Sequence, residues 1–225
     1  MGSYTEMRPL ESIEFRARRV GRAWSVRLGL RRPVFVRDLQ RLNDILAATA
    51  LAGRYSMSGG LLLGWARDRR ILTHDLYDAD FTYFAEDAPA FESAAQALAR
   101  AGFEPDVRYI NNEGQPVEYR FRRHGAQFEF FALWRIEDRV RYFMYDGPDE
   151  LVCERADQEL VLFWFLDRNW LKPIDHDAAL TANYGDWRTP RRDWYFGDAG
   201  TVIRRHPARY ADEKWDGAAG QAARS

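Results

Sequence analysis

The sequence predicts a single α+β domain, and three observations carry that prediction. Apolar residues recur at helical spacing in two segments, 36–51 and 88–101. Glycine-punctuated, strand-like segments follow one another between 107 and 145. The chain of 225 residues, 46% hydrophobic and 15% aromatic, has the length and composition to bury a core. No repeat or low-complexity linker interrupts it, so one domain is expected over 34–207. An N-terminal extension (1–33) and a flexible tail (208–225) flank it.

Taken in order, residues 1–33 are arginine-rich. Trp24, Val26, Leu28 and Leu30 alternate with Ser25, Arg27 and Gly29 in a strand pattern, and Pro33 marks a boundary. Leu39, Leu42, Ile45, Leu46 and Ala50 define the first helix, with Asp38 near its start and Gly53 beyond its end. A short strand at 55–58, a glycine turn at Gly59 and Gly60, and an apolar segment at 61–66 precede an acidic strand at 78–84. The second helix, 88–101, is stopped by Gly102. Strands are expected at 107–111, 117–123, 127–134 and 140–145, with Gly114 and Gly125 in the turns. Helical patterning returns at 148–170, where the apolar run 160–171 reads as a core helix.

Bulk properties exclude several functions. A net charge of −1 offers no general attraction to nucleic acid or to an anionic membrane. Cys153 is the sole cysteine, so no intrachain disulfide forms. The opening "MGSYTEMRPLESIEF" lacks the apolar core of a signal peptide, and no apolar run is long enough to span a bilayer. A cytoplasmic protein without a transmembrane segment is expected.

The chemistry concentrates in "GGLLLGWARDRRILTHDLYDAD", residues 59–80. In a strand, residues i and i+2 face the same way, so Asp78 and Asp80 project together. Two uncompensated carboxylates repel, and a divalent cation between them removes the conflict. Mg²⁺ and Mn²⁺ are hard ions that favour carboxylate and phosphate oxygens, which points to phosphoryl or nucleotidyl transfer. Glu129, in the apolar strand "QFEFFALW", is a third candidate ligand; pairing with Arg120 or Arg122 is its structural alternative. His74 beside Asp75 is a candidate substrate contact, base or simple hydrogen-bond partner.

These residues resemble the LicD/fukutin-type family, whose members carry a Gly-Thr-Leu-Leu-Gly-x-x-Arg segment and then an Asp-x-Asp strand. A second stretch, "KPIDHDAALTANYGDWRTP" at 172–190, is similar to the same family's C-terminal element. Together the two matches cover roughly 36–190. The resemblance implies a nucleotidyltransferase-like fold, a mixed sheet with packed helices. It also implies a Mg²⁺- or Mn²⁺-dependent transferase. Such an enzyme moves a substituted phosphate, such as phosphocholine or a polyol phosphate, from a CDP-linked donor to a sugar hydroxyl. The product class is a cell-surface glycan or glycolipid, and a glycolipid acceptor would make the enzyme peripheral to a membrane. Carried over, Gly59 and Gly60 form the phosphate-side turn and Arg67 faces donor phosphate. Asp78, Asp80 and Glu129 bind metal and form the catalytic set, with His74 and Asp75 on the substrate side. Tyr184, Gly185 and Trp187 match the C-terminal element, in packing or in binding. Gly60 stands where the family has threonine, and the run from Arg67 to Asp80 is one residue longer, so Asp75 and Asp78 compete for the first ligand position. Two alternatives use the same residues: nucleotidyl transfer from an NTP to a small molecule, and a non-catalytic nucleotide-binding module.

Overall fold

The computed structural model describes residues 29–191, 193–209 and 213–215. The strand expected at 24–30 falls almost wholly outside them. Among the described residues the chain forms four α-helices and a mixed sheet, an α+β architecture. Helix α1 (Arg31–Ala47) buries Phe35, Leu39, Leu42 and Leu46 completely, the one-face spacing read from the sequence. It ends four residues sooner than expected, at Ala47, and begins before Pro33, which sits in its first turn where a missing N–H costs nothing. Strand β1 (Tyr55–Met57) leads into α2 (Gly59–Asp68) and then β2 (Asp78–Phe84). Helix α3 (Ala88–Arg100) buries Phe91, Ala94, Ala95 and Leu98, and Gly102 at φ 86° closes it.

Next come β3 (Glu104–Ile110), β4 (Pro116–Arg123), β5 (Ala126–Ile136), β6 (Arg139–Asp146) and β7 (Asp149–Ala156). From β4 to β7 each strand is antiparallel to the one before it, whereas β2 lies parallel to β5, which makes the sheet mixed. The order along the sheet is β10-β7-β6-β5-β4-β3-β11, with β2 on β5 and β1 on β2; β10 is Val202–Pro207 and β11 is Glu213–Lys214. Within the expected tail, β11 thus adds an edge strand to β3.

Alternation divides the central strands into two chemistries. Ala79, Phe81 and Tyr83 of β2, Phe128, Phe130 and Ala132 of β5, and Tyr119 and Phe121 of β4 all enter the main core. There Phe81 stacks on Phe130 at 5.1 Å and on Trp170 at 5.9 Å. The intervening residues, Asp78, Asp80, Thr82, Glu118, Arg120, Glu129, Phe131 and Leu133, line a cavity on the opposite face.

The helical reading of 148–170 is wrong. The segment holds β7 and the hairpin β8 (Leu160–Phe165) and β9 (Arg168–Pro173). Phe163 and Phe165 point inward while Leu162 and Trp164 stay exposed, a period of two hidden inside a continuous apolar run. Leu166 and Asp167, both at positive φ (51° and 56°), form the two-residue turn. Gly59 and Gly60 are likewise the first residues of α2 rather than a separate turn.

Candidate functional site

The cavity of about 870 Å³ opens between the polar sheet face, one face of α2 and the segment that follows α4 (His176–Tyr184). Parallel pairing sets Asp80 directly beside Glu129, and Asp78 lies one alternation away on the same face. As a result, one oxygen each from Asp78, Asp80 and Glu129 falls within 4.8 Å of the others. Asp75 approaches from the 3₁₀ turn Thr73–Asp75 and lines the same cavity. Antiparallel pairing of β4 with β5 places Arg120 opposite Glu129; its Nε donates to Glu129, and its NH2 group lies 3.5 Å from Glu118. Glu129 therefore has the Arg120 partner that its strand context offered as one alternative, and it also lies beside the aspartates. Arg122 pairs elsewhere, donating to Asp106 at 2.6 Å.

Helix α2 begins against these carboxylates. A Cβ on Gly59 would overlap the Asp80 carboxylate, and one on Gly60 would overlap Asp75. Only residues without a side chain let the helix N-terminus come this close. On the cavity side, Gly60, Leu63 and Arg67 follow at helical spacing. Arg67 Nε is buried without a hydrogen-bond partner, and its nearest carboxylate is Asp68 at 3.6 Å.

The acids outnumber the cations they meet. Burial, then the charges of Asp78 and Glu129, holds the Asp80 carboxyl well above its ordinary range. Burial and Asp75 raise Asp78, and burial raises Asp75 against the pull of His74 and Arg67. Burial, then Asp78, pushes Glu129 up to about 6 even though Arg120 opposes the shift. Burial and Glu129 raise Glu118 well above its range. Two buried oxygens, Asp78 Oδ1 and Asp75 Oδ2, have no partner. Hard oxygen donors this close together, short of cations and partly unpartnered, suit a divalent ion; Asp78, Asp80 and Glu129 are the residues that would hold it.

All eight candidate residues named from the sequence line this one cavity: Gly59, Gly60, Arg67, His74, Asp75, Asp78, Asp80 and Glu129. His74 is largely exposed, with Nε2 3.5 Å from Asp75. From the C-terminal element, Tyr184 and Trp187 line the opposite wall, and burial followed by Asp80 keeps the Tyr184 phenol protonated. Gly185 caps α4 at φ 65°, and Trp187 Nε1 donates to Asp177 at 2.9 Å. Trp194 packs on Tyr184 with ring centroids 4.5 Å apart. Sequence reasoning missed Glu118, Asn183 and Arg155. Glu118 was within reach, because it shares the alternation of Arg120 in "VEYRFRR"; Arg155 was obscured by the helical reading of β7.

No family model matches the chain, and no curated protein matches it. Fold and site define the class by themselves: an α+β domain whose sheet presents clustered carboxylates to a ligand-sized cavity. Among the described residues, no helix is long and apolar enough to cross a membrane.

Proposed function

We propose that the chain is a metal-dependent transferase of the LicD/fukutin type. It would move a substituted phosphate from a CDP-linked donor to a sugar hydroxyl of a glycan or glycolipid, at the cytoplasmic side. The observation that carries this reading is the convergence of Asp78, Asp80 and Glu129 within 4.8 Å on a cavity wall, next to a glycine-built helix start and an Arg67 Nε without a hydrogen-bond partner. Supporting it is the resemblance of residues 59–80 and 172–190, in order, to the two elements of that family.

A bound Mg²⁺ or Mn²⁺ would supply charge neutralisation of the phosphate oxygens. The chain's own groups do the rest. Backbone N–H groups at the start of α2 and the Arg67 guanidinium face the phosphate. The acceptor hydroxyl oxygen bonds to phosphorus as the bond to CMP breaks, and the hydroxyl proton passes to Asp75. That carboxyl suits a base, since it is buried, raised above its ordinary value and has one oxygen free. Tyr184, Trp187 and Trp194, which line the cavity, exclude water and offer ring faces to the base or sugar.

CMP release from a panel of CDP-alcohols, with a saccharide acceptor mixture and Mn²⁺ or Mg²⁺, tests the reading. The expected result is release from one donor, abolished by EDTA and reduced by about 10²–10³-fold in Asp80→Asn, the loss typical of removing one transition-state electrostatic contact. Pyrophosphate release from CTP or ATP would replace the reading with nucleotidyl transfer. Nucleotide binding without turnover in either assay would replace it with a binding module.

A further inference from the structure

The cavity has a second pole that the carboxylate chemistry leaves unused. Along β5 its lining residues run Glu129, Phe131, Leu133, so the wall extends about 13 Å from the acids at roughly 3.3 Å per residue. Beyond it the wall continues through Tyr142 and Met144 of β6 to Arg155 of β7. The half-buried Arg155 side chain forms no hydrogen bond or ion pair among the described residues, in contrast to its strand neighbour Glu154, which pairs with Arg139 and Arg141. Burial pulls the Arg155 guanidinium below its ordinary value, with Tyr142 and Asp157 only partly offsetting this. A half-buried guanidinium that lines a cavity and has no side-chain partner in the fold is free to meet a ligand there.

Its surroundings offer donors. Asn183, which lines the same end, has its amide oxygen within 3.2 Å of both the Tyr142 and the Thr201 hydroxyls. Tyr142 in turn donates to Thr201 at 2.9 Å, and burial keeps its phenol neutral. With the acceptor end of the amide engaged, its NH2 group has no partner among the described residues. Phe196 and Ala199 complete this end and carry no acceptor side chain. Planar arginine donors next to an amide N–H make an anion-recognising set.

We propose that Arg155 and Asn183 form an anion-binding subsite at the far end of the cavity, and that the acceptor substrate carries the phosphate or carboxylate that occupies it. The subsite itself follows from the Arg155 end alone; assigning the anion to the acceptor rests on the proposed function, in which the donor phosphate occupies the carboxylate end. The ligand class is thus an anionic saccharide, with its reacting hydroxyl and its charged group separated by the aromatic middle of the cavity.

Inorganic phosphate and acetate, titrated calorimetrically into the full-length chain in EDTA, test this directly. Without metal, the acidic pole repels anions, so binding reports the Arg155 end. The wild-type chain is expected to bind phosphate or acetate, and the preferred ion identifies the charged group of the acceptor. Arg155→Met should weaken that binding by roughly tenfold or more, and Arg155→Lys by less. Asp80→Asn should bind at least as well as wild type. The ligand-free melting temperature of Arg155→Met should match that of wild type, because the guanidinium has no hydrogen-bond or ion-pair partner within the described fold. Equal anion binding by wild type and Arg155→Met would overturn the proposal, as would no binding of either ion by wild type. A lower melting temperature in Arg155→Met that Arg155→Lys restores would make Arg155 structural and overturn it as well. Mn²⁺ binding in the same variants keeps the two readings apart: a wild-type chain that binds phosphate but not Mn²⁺ loses the proposed function and retains the subsite.

Discussion

At Gly59 and Gly60 the distance between a helix and two carboxylates is set by the absence of a methyl group. Gly59→Ala drives a Cβ into the Asp80 carboxylate at a backbone φ of 54° that alanine rarely adopts. The expected outcome is a loss of about 1–3 kcal/mol in stability, read by thermal or denaturant unfolding, and at least tenfold weaker Mn²⁺ binding. Asp80 predicts the opposite signature. Its charge is buried among Asp78, Glu129, Asp75 and Glu118, so Asp80→Asn relieves repulsion in the metal-free chain. In EDTA the variant should be more stable than wild type, read as a higher melting temperature. The same substitution should remove metal binding. A structural carboxylate would instead be missed by the fold when amidated, so scanning calorimetry with and without metal separates the two roles.

The hairpin β8–β9 shows how an element can hide from its sequence. Its turn residues are Leu166 and Asp167, at φ 51° and 56°, where Asn-Gly is the residue pair that fits the left-handed region without strain. Lacking that signal, the apolar run 160–165 and the aromatic Trp170 read as one helix. Leu166 packs on the core and is kept; Asp167→Gly alone, at the exposed turn position, should stabilise the chain by about 1 kcal/mol, seen as a higher melting temperature with unchanged metal binding. Elements with explicit punctuation were legible. Helix α3 carries Pro89 in its first turn and Gly102 after its end, and β4 and β5 are separated by Gly125 at φ 76°. Helix α1 was legible in its buried face and not in its limits, because residues 48–53 continue its composition but not its hydrogen bonding.

For the whole molecule, the carboxylate cluster couples stability to pH. Between its ordinary pKa and its raised value, such a group binds more protons folded than unfolded, so stability is full below the ordinary value and falls as pH rises. For Glu129 the window runs from 4.5 to about 6, and Asp78, Asp80 and Glu118 shift the same way. Lowered carboxylates such as Asp44 and Glu154, each paired with arginine, act with the opposite sign but lie near the surface, where such pairs contribute little. The metal-free chain should therefore melt at a lower temperature at pH 7.5 than at pH 5, and Mn²⁺ should remove most of that difference. At this scale the site was legible as a set of residue types. Spacing gave Asp78 and Asp80 a common face, and Glu129 stood out as an acid in an apolar strand. What spacing could not supply was the parallel pairing that puts β2 beside β5, or the reach of the cavity to Arg155 on a strand 26 residues after Glu129. The measurement that bears most directly on the central claim is a Mn²⁺ titration of wild type and Asp80→Asn at pH 7.5, followed by the paramagnetic resonance of free Mn²⁺. Saturable binding to wild type is expected, and Asp80→Asn should lose it while remaining folded. Equal Mn²⁺ uptake by the two chains, or none by wild type, would contradict it.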